Sequence, residues 1–137
     1  TAIPLKSCFI IFAGTGNISY ELVSRGCPRV TAVDENNNCI KFIRDTANKL
    51  NMEELLAIRS DVFRFIPMHK MKYDLIFADP PYDSQHYDLL VNLVFENNLL
   101  KEDGLFVVEH NKFLDFKEHP RFVEQRRYGK VNFSFFK

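Results

Sequence analysis

The sequence predicts an α/β fold, a doubly wound, Rossmann-like domain whose seven-stranded sheet is mostly parallel and is closed by an antiparallel C-terminal hairpin. Three observations carry that expectation. Short apolar runs alternate with longer stretches of helical periodicity, the pattern of strand–helix–strand units crossing over a parallel sheet. The first run, Cys8 to Ala13, is apolar throughout, as a strand covered on both faces must be. The last two runs flank Gly129-Lys130, a two-residue turn that opens on glycine.

Taken in order, the first strand is stopped by Gly14, and Asn17 to Arg25 reads as a helix with Asn17 as its N-cap and Gly26 as its stop. Arg29 to Val33 is the second strand. Asn37 to Leu50 is a helix because Ile40, Ile43, Ala47 and Leu50 fall at helical spacing. Leu55 to Ile58 is a third, weaker strand, and Val62 to Ile66 a short helical turn ended by Pro67. Tyr73 to Ala78 is the fourth strand and His86 to Phe95 a helix. Leu105 to Val108 follows the Asp103-Gly104 turn as the fifth strand. Phe122 to Tyr128 and Val131 to Phe136 form the hairpin, with Val131, Phe133 and Phe135 sharing one face of its second strand. There is no internal repeat, linker or low-complexity segment.

A length of 137 residues and 46% hydrophobic content suit one domain with a real core, residues 1–137. The formal net charge of zero excludes a general polycation. Charge is uneven, however: residues 112–137 hold seven Lys or Arg against three Asp or Glu, and Arg126, Arg127 and Lys130 on the hairpin form a candidate phosphate-contacting surface. Three cysteines with no C-x-x-C pair and no secretory leader predict reduced thiols and a cytoplasmic location, Cys39 reading as a core position on its helix. No apolar run reaches the roughly 18 residues of a membrane span.

Phe12-Ala13-Gly14-Thr15-Gly16-Asn17 joins the first strand to the first helix. Glycines there let backbone approach a ligand, and the helix start offers unused N–H groups. Asp34 ends the second strand 18 residues after Gly16, where an acid can accept from ribose hydroxyls; Glu35 follows it in the same candidate site. Position 19 is Ser19, so a dinucleotide fingerprint is incomplete. Asp61 after the third strand can accept from an adenine amino group with Val62 on the ring, or can cap the following helix.

Asp79-Pro80-Pro81-Tyr82 follows the fourth strand. Paired prolines fix the backbone and remove N–H donors, leaving carbonyls as acceptors, which suits a substrate group with hydrogens to donate. An exocyclic amino group of a nucleobase is a poor nucleophile, because its lone pair is delocalised into the ring. One N–H given to the Asp79 carboxylate and the other to the Pro80 carbonyl would steer that nitrogen toward a methyl carbon. Tyr82 would stack on the base, worth ~1–3 kcal/mol. The expected chemistry is methyl transfer from S-adenosylmethionine, with Asp79, Pro80, Pro81 and Tyr82 as its catalytic set. Glu109-His110 at a strand end reads as structural, since nothing supplies a third member. His69, His86 and His119 have no metal-ligand spacing, so no metal is expected.

With those residues in place, the chain resembles the bacterial methyltransferases that modify a guanine N2 in small-subunit ribosomal RNA. The resemblance runs through the glycine turn to Glu21, Ser24-Arg25-Gly26, Thr31-Ala32-Val33-Asp34, Phe77 to Tyr82, Val107-Val108-Glu109-His110 and Arg127-Tyr128-Gly129-Lys130. It implies a class I methyltransferase fold, S-adenosylmethionine held by Gly14, Gly16, Asp34 and Asp61, and the target base held by Asp79 to Tyr82. The implied partner is ribosomal RNA within the small subunit or its assembly intermediate. Two features depart from the family: Ile10 stands where an acid is usual, and the chain opens at the first strand without the family's N-terminal stretch. Weaker cofactor binding is the expectation from both. Two other readings stay open, a DNA adenine-N6 or cytosine-N4 methyltransferase and a truncated, weakly active cofactor- or RNA-binding module. The first normally needs a target-recognition region, for which no stretch between these motifs is long enough.

Overall fold

The computed structural model describes residues 5–81 and 84–137. Seven strands form one sheet in the order β3-β2-β1-β4-β5-β7-β6. In chain order the elements are β1 (Cys8–Ile11), α1 (Asn17–Ser24), β2 (Val30–Asp34), α2 (Asn37–Lys49), β3 (Leu55–Arg59) and α3 (Val62–Met68). They continue with β4 (Tyr73–Ala78), α4 (Ser84–Glu96), β5 (Leu100–His110), β6 (Phe122–Tyr128) and β7 (Val131–Phe136). Strands β1 to β5 pair in parallel, and among the described residues only β5–β7 and β6–β7 are antiparallel. The order reverses at β1, which pairs with both β2 and β4, and that is where the strand ends part to leave a crevice.

The sheet divides the core into two layers. Phe9, Ile11, Ile76, Ala78, Phe106 and Val108 face α3 and α4, where Val62, Ile66, Leu90, Val91 and Val94 meet them. Cys8, Ile10, Val30, Ala32, Phe77 and Val107 face the other way, toward Val23 of α1 and Ile40, Ile43 and Ala47 of α2. Alternation along each strand therefore assigns every side chain to one layer or the other.

Several expected boundaries shift for local reasons. Gly16, at φ 94, is the N-cap of α1, and Asn17 is its first helical residue, so Asn17 is not the cap. Gly26 does stop that helix: its N–H bonds the Val23 carbonyl while Cys27 N–H bonds Leu22, a Schellman closure that needs the φ of 97 glycine supplies. Helix α3 runs past Pro67 to Met68, because a proline in the last turn forfeits only one hydrogen bond. Strand β5 begins at Leu100 rather than Leu105. Tyr73 pairs with Leu100 but Leu75 with Leu105, so residues 101–104 bulge out of register around Asp103 at φ 66.

On β7, Val131, Phe133 and Phe135 do share a face, but the more deeply buried face is Asn132, Ser134 and Phe136. Ser134 is affordable there because its hydroxyl bonds His110 Nε2 at 2.7 Å. Among the described residues, no helix is long and apolar enough to cross a membrane.

Candidate active site

The crevice lies at the carboxyl ends of β1, β2 and β4. Two adjoining cavities of about 490 and 350 Å3 meet at Phe12, Gly14 and Asp79. Asp34, Glu35, Asn36, Cys39 and Pro81 line the larger. Ile10, Ala13, Thr15, Gly16, Asn17 and Phe77 belong to the smaller. Volumes of this order suit a nucleoside-sized ligand.

The glycine turn is built by its own backbone. Ala13 N–H bonds the Val33 carbonyl at 3.1 Å, and Gly16 N–H bonds the Ala13 carbonyl at 3.0 Å. Phe12, Gly14 and Gly16 all have positive φ, 60, 57 and 94. The two glycines differ in surroundings. A methyl group on Gly14 would meet nothing within 4 Å, the open cradle a ligand can enter, whereas one on Gly16 would lie 2.7 Å from Tyr20 Cζ. No side chain caps α1, so its first N–H groups are left to the crevice. Ser19, where a dinucleotide site has a third glycine, is fully buried.

Asp34 is already engaged. Its Oδ2 accepts from Gly14 N–H and its Oδ1 from Asn36 N–H, both at 2.9 Å. A carboxylate has about four acceptor positions, so two remain for a ribose while the other two hold the turn in place. Asp61 takes the capping role, accepting from Phe63 N–H at 2.9 Å at the head of α3. Val62 corrects the expectation of a ring contact: it is 3% exposed and packs in the core, since the turn of α3 points it at the sheet. Cys39 corrects another, being half-buried and lining the crevice rather than the core, because Asn36 anchors its N–H in the first turn of α2 at the sheet edge.

At the end of β4, Asp79 is exposed to the crevice and its N–H bonds the Ile11 carbonyl at 3.4 Å. Pro80 is buried, and its carbonyl accepts from Tyr87 Oη at 3.0 Å. The sequence expects that carbonyl to be free; it is instead turned to Tyr87, with one lone pair unused by that bond. Tyr82 lies outside the described residues. Ile10 is 2% exposed in the β1 core layer and contributes an apolar wall to the smaller cavity.

Glu109, which the sequence reads as structural, lies beside Asp79 in the structure. Ala78 pairs with Val108, so Asp79 and Glu109 follow as neighbours at the ends of adjacent parallel strands, on one face. Their carboxyl groups are within hydrogen-bonding reach of each other. Withdrawal of water raises Asp79 above the usual carboxylate range, against a lowering hydrogen bond from Glu109. Glu109 is raised by the same loss of water and further by the Asp79 charge and hydrogen bond. Its available signal was the register of two parallel strands, which no single-strand pattern reveals. His110 does read as structural: it is 4% exposed and bonds the Asn111 carbonyl through Nδ1 at 2.8 Å and Ser134 through Nε2.

The hairpin reaches the same rim. Glu109 pairs with Phe133 and Phe133 with Arg126, which puts Arg126 on the crevice level, two strands beyond β5. Arg126 is ion-paired to Glu124 at 2.8 Å and lies over the Phe135 ring, Arg127 Nε donates to the Gly129 carbonyl, and Lys130 is exposed.

A sheet of this order, with a glycine turn after β1 and an acid after β2, defines the class I methyltransferase fold. The solved structure of yhhF from Escherichia coli, a provisionally assigned methyltransferase, superimposes with a TM-score of 0.86 at 18% identity, covering 98% of this chain and 76% of that one. The chain belongs to the family described as conserved hypothetical protein 95, whose profile matches residues 1–137. Ribosomal RNA small subunit methyltransferase D of Buchnera aphidicola subsp. Baizongia pistaciae is 25% identical over 98% of this chain and 70% of its own length. YlbH of Bacillus subtilis, a provisionally assigned rRNA methyltransferase, is 30% identical over 79% of this chain. The chain spans 61% of that relative's length.

Proposed function

We propose that this domain transfers a methyl group from S-adenosylmethionine to the exocyclic N2 amino group of a guanine in 16S ribosomal RNA. The observation that carries the reading is the meeting of Gly14, Asp34 and Asp79 around one crevice, cofactor-type groups on one side and an acceptor for amino hydrogens on the other. The residues present fit the cofactor: the unfilled cradle at Gly14, the N–H groups at the start of α1 and the spare lone pairs of Asp34 answer its amino acid and ribose parts. Phe12, Ala13, Thr15, Gly16, Asn17 and Glu35 complete that side, and Asp61 would act from the rim. Bound there, the cofactor supplies an electrophilic methyl carbon.

Asp79 and the Pro80 carbonyl then accept hydrogen bonds from the two amino N–H groups, Pro81 keeps the loop rigid, and Tyr82 would stack on the base. Orientation of a weak nucleophile and support for the charge forming on nitrogen are the two contributions that the protein makes. The names of the matched relatives support ribosomal RNA as substrate; its presentation on the small subunit or an assembly intermediate, in the cytoplasm, is part of the same proposal. Arg126, Arg127 and Lys130, on the rim that holds Asp79, provide the phosphate contacts. The base must still leave its stack to enter the crevice.

The test is to incubate the protein with labelled S-adenosylmethionine and, in parallel, undermodified small subunits, naked ribosomal RNA and DNA. Label in small subunits or their RNA is the expected result. Label in DNA alone would overturn the substrate class, and label nowhere would favour a binding module.

A further inference from the structure

The acid beside Asp79 has no part in the reading above, and its placement gives it one. We propose that Glu109 is a positioning residue for the target amino group: across the ends of β5 and β4 it shares a single proton with Asp79, so that the pair presents one negative charge, held on Asp79. The inference rests on the proposed methyl-transfer reading and deepens it at the same site.

The geometry is that of two adjacent parallel strands. Val108 and Ala78 are in register, and the following residues, Glu109 and Asp79, project from the same face at the crevice level. Two carboxylates this close repel one another, and one retained proton converts the repulsion into a hydrogen bond. The flanking groups favour retention. From α4 the Tyr87 hydroxyl, which feels the charge of both carboxyls, spends its hydrogen on the Pro80 carbonyl, 3.0 Å away. From β2, Asp34 and Glu35 line the same crevice and add negative charge. From β7 the neighbour in register is Phe133, which is apolar. His110 is turned into the core and hydrogen-bonded to Ser134 and Asn111, so it offers no charge. The nearest cation along the row, Arg126 on β6, is two strands from Glu109 and already paired with Glu124.

With the proton on Glu109, its O–H donates to one Asp79 oxygen and fixes that carboxylate in rotation. The other Asp79 oxygen faces the amino group with the full charge. Once nitrogen carries the extra methyl group it also carries a positive charge. One N–H bond then breaks, its electron pair stays on nitrogen, and the proton forms an O–H bond with Asp79. The pair now holds two protons and returns one to water through the exposed side of Asp79. With Glu109 already protonated, Asp79 takes this proton on the lower of the pair's two steps; the positively charged amino nitrogen, a far stronger acid than a carboxylic acid, gives it up readily, and Asp79 passes it on to water.

Glu109→Gln separates positioning from titration, since its amide still donates to Asp79 but has no proton to share. Carboxyl carbon NMR on Asp- and Glu-labelled protein reads the pair without turnover. The wild type should show the Asp79 and Glu109 signals moving together in two well-separated steps, and Glu109→Gln should leave one step. Independent single titrations at ordinary carboxylate values in the wild type would overturn the proposal, whether or not the protein transfers methyl groups. For kcat against pH, the wild type should lose activity on the alkaline side as the shared proton leaves. Glu109→Gln should lack that alkaline limb, and Glu109→Ala should lower kcat about 10- to 100-fold with KM for the cofactor within about twofold. An alkaline limb unchanged in Glu109→Gln would also overturn it. Melting temperatures of the variants, expected within a few degrees of wild type, distinguish these effects from misfolding.

Discussion

Replacing Gly16 with alanine should destabilise the domain far more than the same change at Gly14, although the two glycines are separated by one residue. At both positions φ is positive, 57 at Gly14 and 94 at Gly16, and an L-residue there costs about 1–2 kcal/mol. Gly14→Ala stops at that cost, because the added methyl group meets nothing within 4 Å. At Gly16 the methyl would sit 2.7 Å from Tyr20 Cζ and Oη and 3.0 Å from Ile43 Cγ1. The tyrosine must move, giving up its 2.7 Å hydrogen bond to the Thr15 carbonyl, another ~0.5–1.5 kcal/mol before any disturbance of packing. The total for Gly16→Ala is therefore about 2–4 kcal/mol, against about 1–2 for Gly14→Ala. For a chain of this size that separates the melting temperatures by roughly 3–8 °C.

Thermal and urea unfolding of both variants give the comparison, and Tyr20→Ala tests the cause. In the Tyr20→Ala background the penalty of Gly16→Ala should shrink toward that of Gly14→Ala, a coupling readable from a double-mutant cycle. Equal penalties at the two glycines, or no coupling to Tyr20, would refute the reasoning. Calorimetry should show the reverse order for ligand binding per unit of lost stability. Gly14→Ala, whose methyl enters the open cradle, should weaken S-adenosylmethionine binding while leaving most of the protein folded.

Three further outcomes follow from the same geometry. Arg126→Ala with Arg127→Ala should raise KM for RNA or particles and flatten the salt dependence by a slope of roughly 1.4–2, with little change in melting temperature because both side chains are exposed; an unchanged slope would remove the hairpin from the RNA surface. Burial lowers His69, His110 and His119 below their ordinary value of 6.5, so the unfolded chain binds more protons than the fold. Their contribution is present in full well above that value and lost as pH falls from it through the lower folded-state values, and His110→Gln should give a shallower loss over roughly the two pH units below about 7. Tyr87→Phe should cost ~1 kcal/mol and lower kcat several-fold by freeing the Pro80 carbonyl to turn; a kcat equal to wild type would mean that this carbonyl's orientation does not matter.

Fold and cofactor side were largely legible in the sequence because their signals are local. The glycine turn, Asp34 at a strand end and the stop at Gly26 are each set by residues within a few positions, and the structure places the turn and Asp34 at one edge. The bulge at residues 101–104 was less visible, since register between β4 and β5 depends on packing across the sheet. Asp61 followed local capping chemistry, which the sequence does contain, while Val62 was drawn inward by the core that α3 covers. The closeness of Glu109 to Asp79 and the bond of Tyr87 to the Pro80 carbonyl were not legible for a common reason: they join residues 30 and 7 positions apart, brought together only when β5 and α4 dock against β4. Cys39 was misread because helical periodicity marks the inward face but not how close the first turn lies to the strand ends.

The central claim, methylation of a guanine amino group by the Asp79 site, is tested most directly by identifying the product. Undermodified small subunits treated with the protein and S-adenosylmethionine would be digested to nucleosides and analysed by mass spectrometry, with Asp79→Ala alongside. The account predicts N2-methylguanosine with the wild type and at least a hundredfold less with Asp79→Ala, whose melting temperature should stay close to wild type. A ring-nitrogen or ribose methyl product, or full activity in Asp79→Ala, would contradict it.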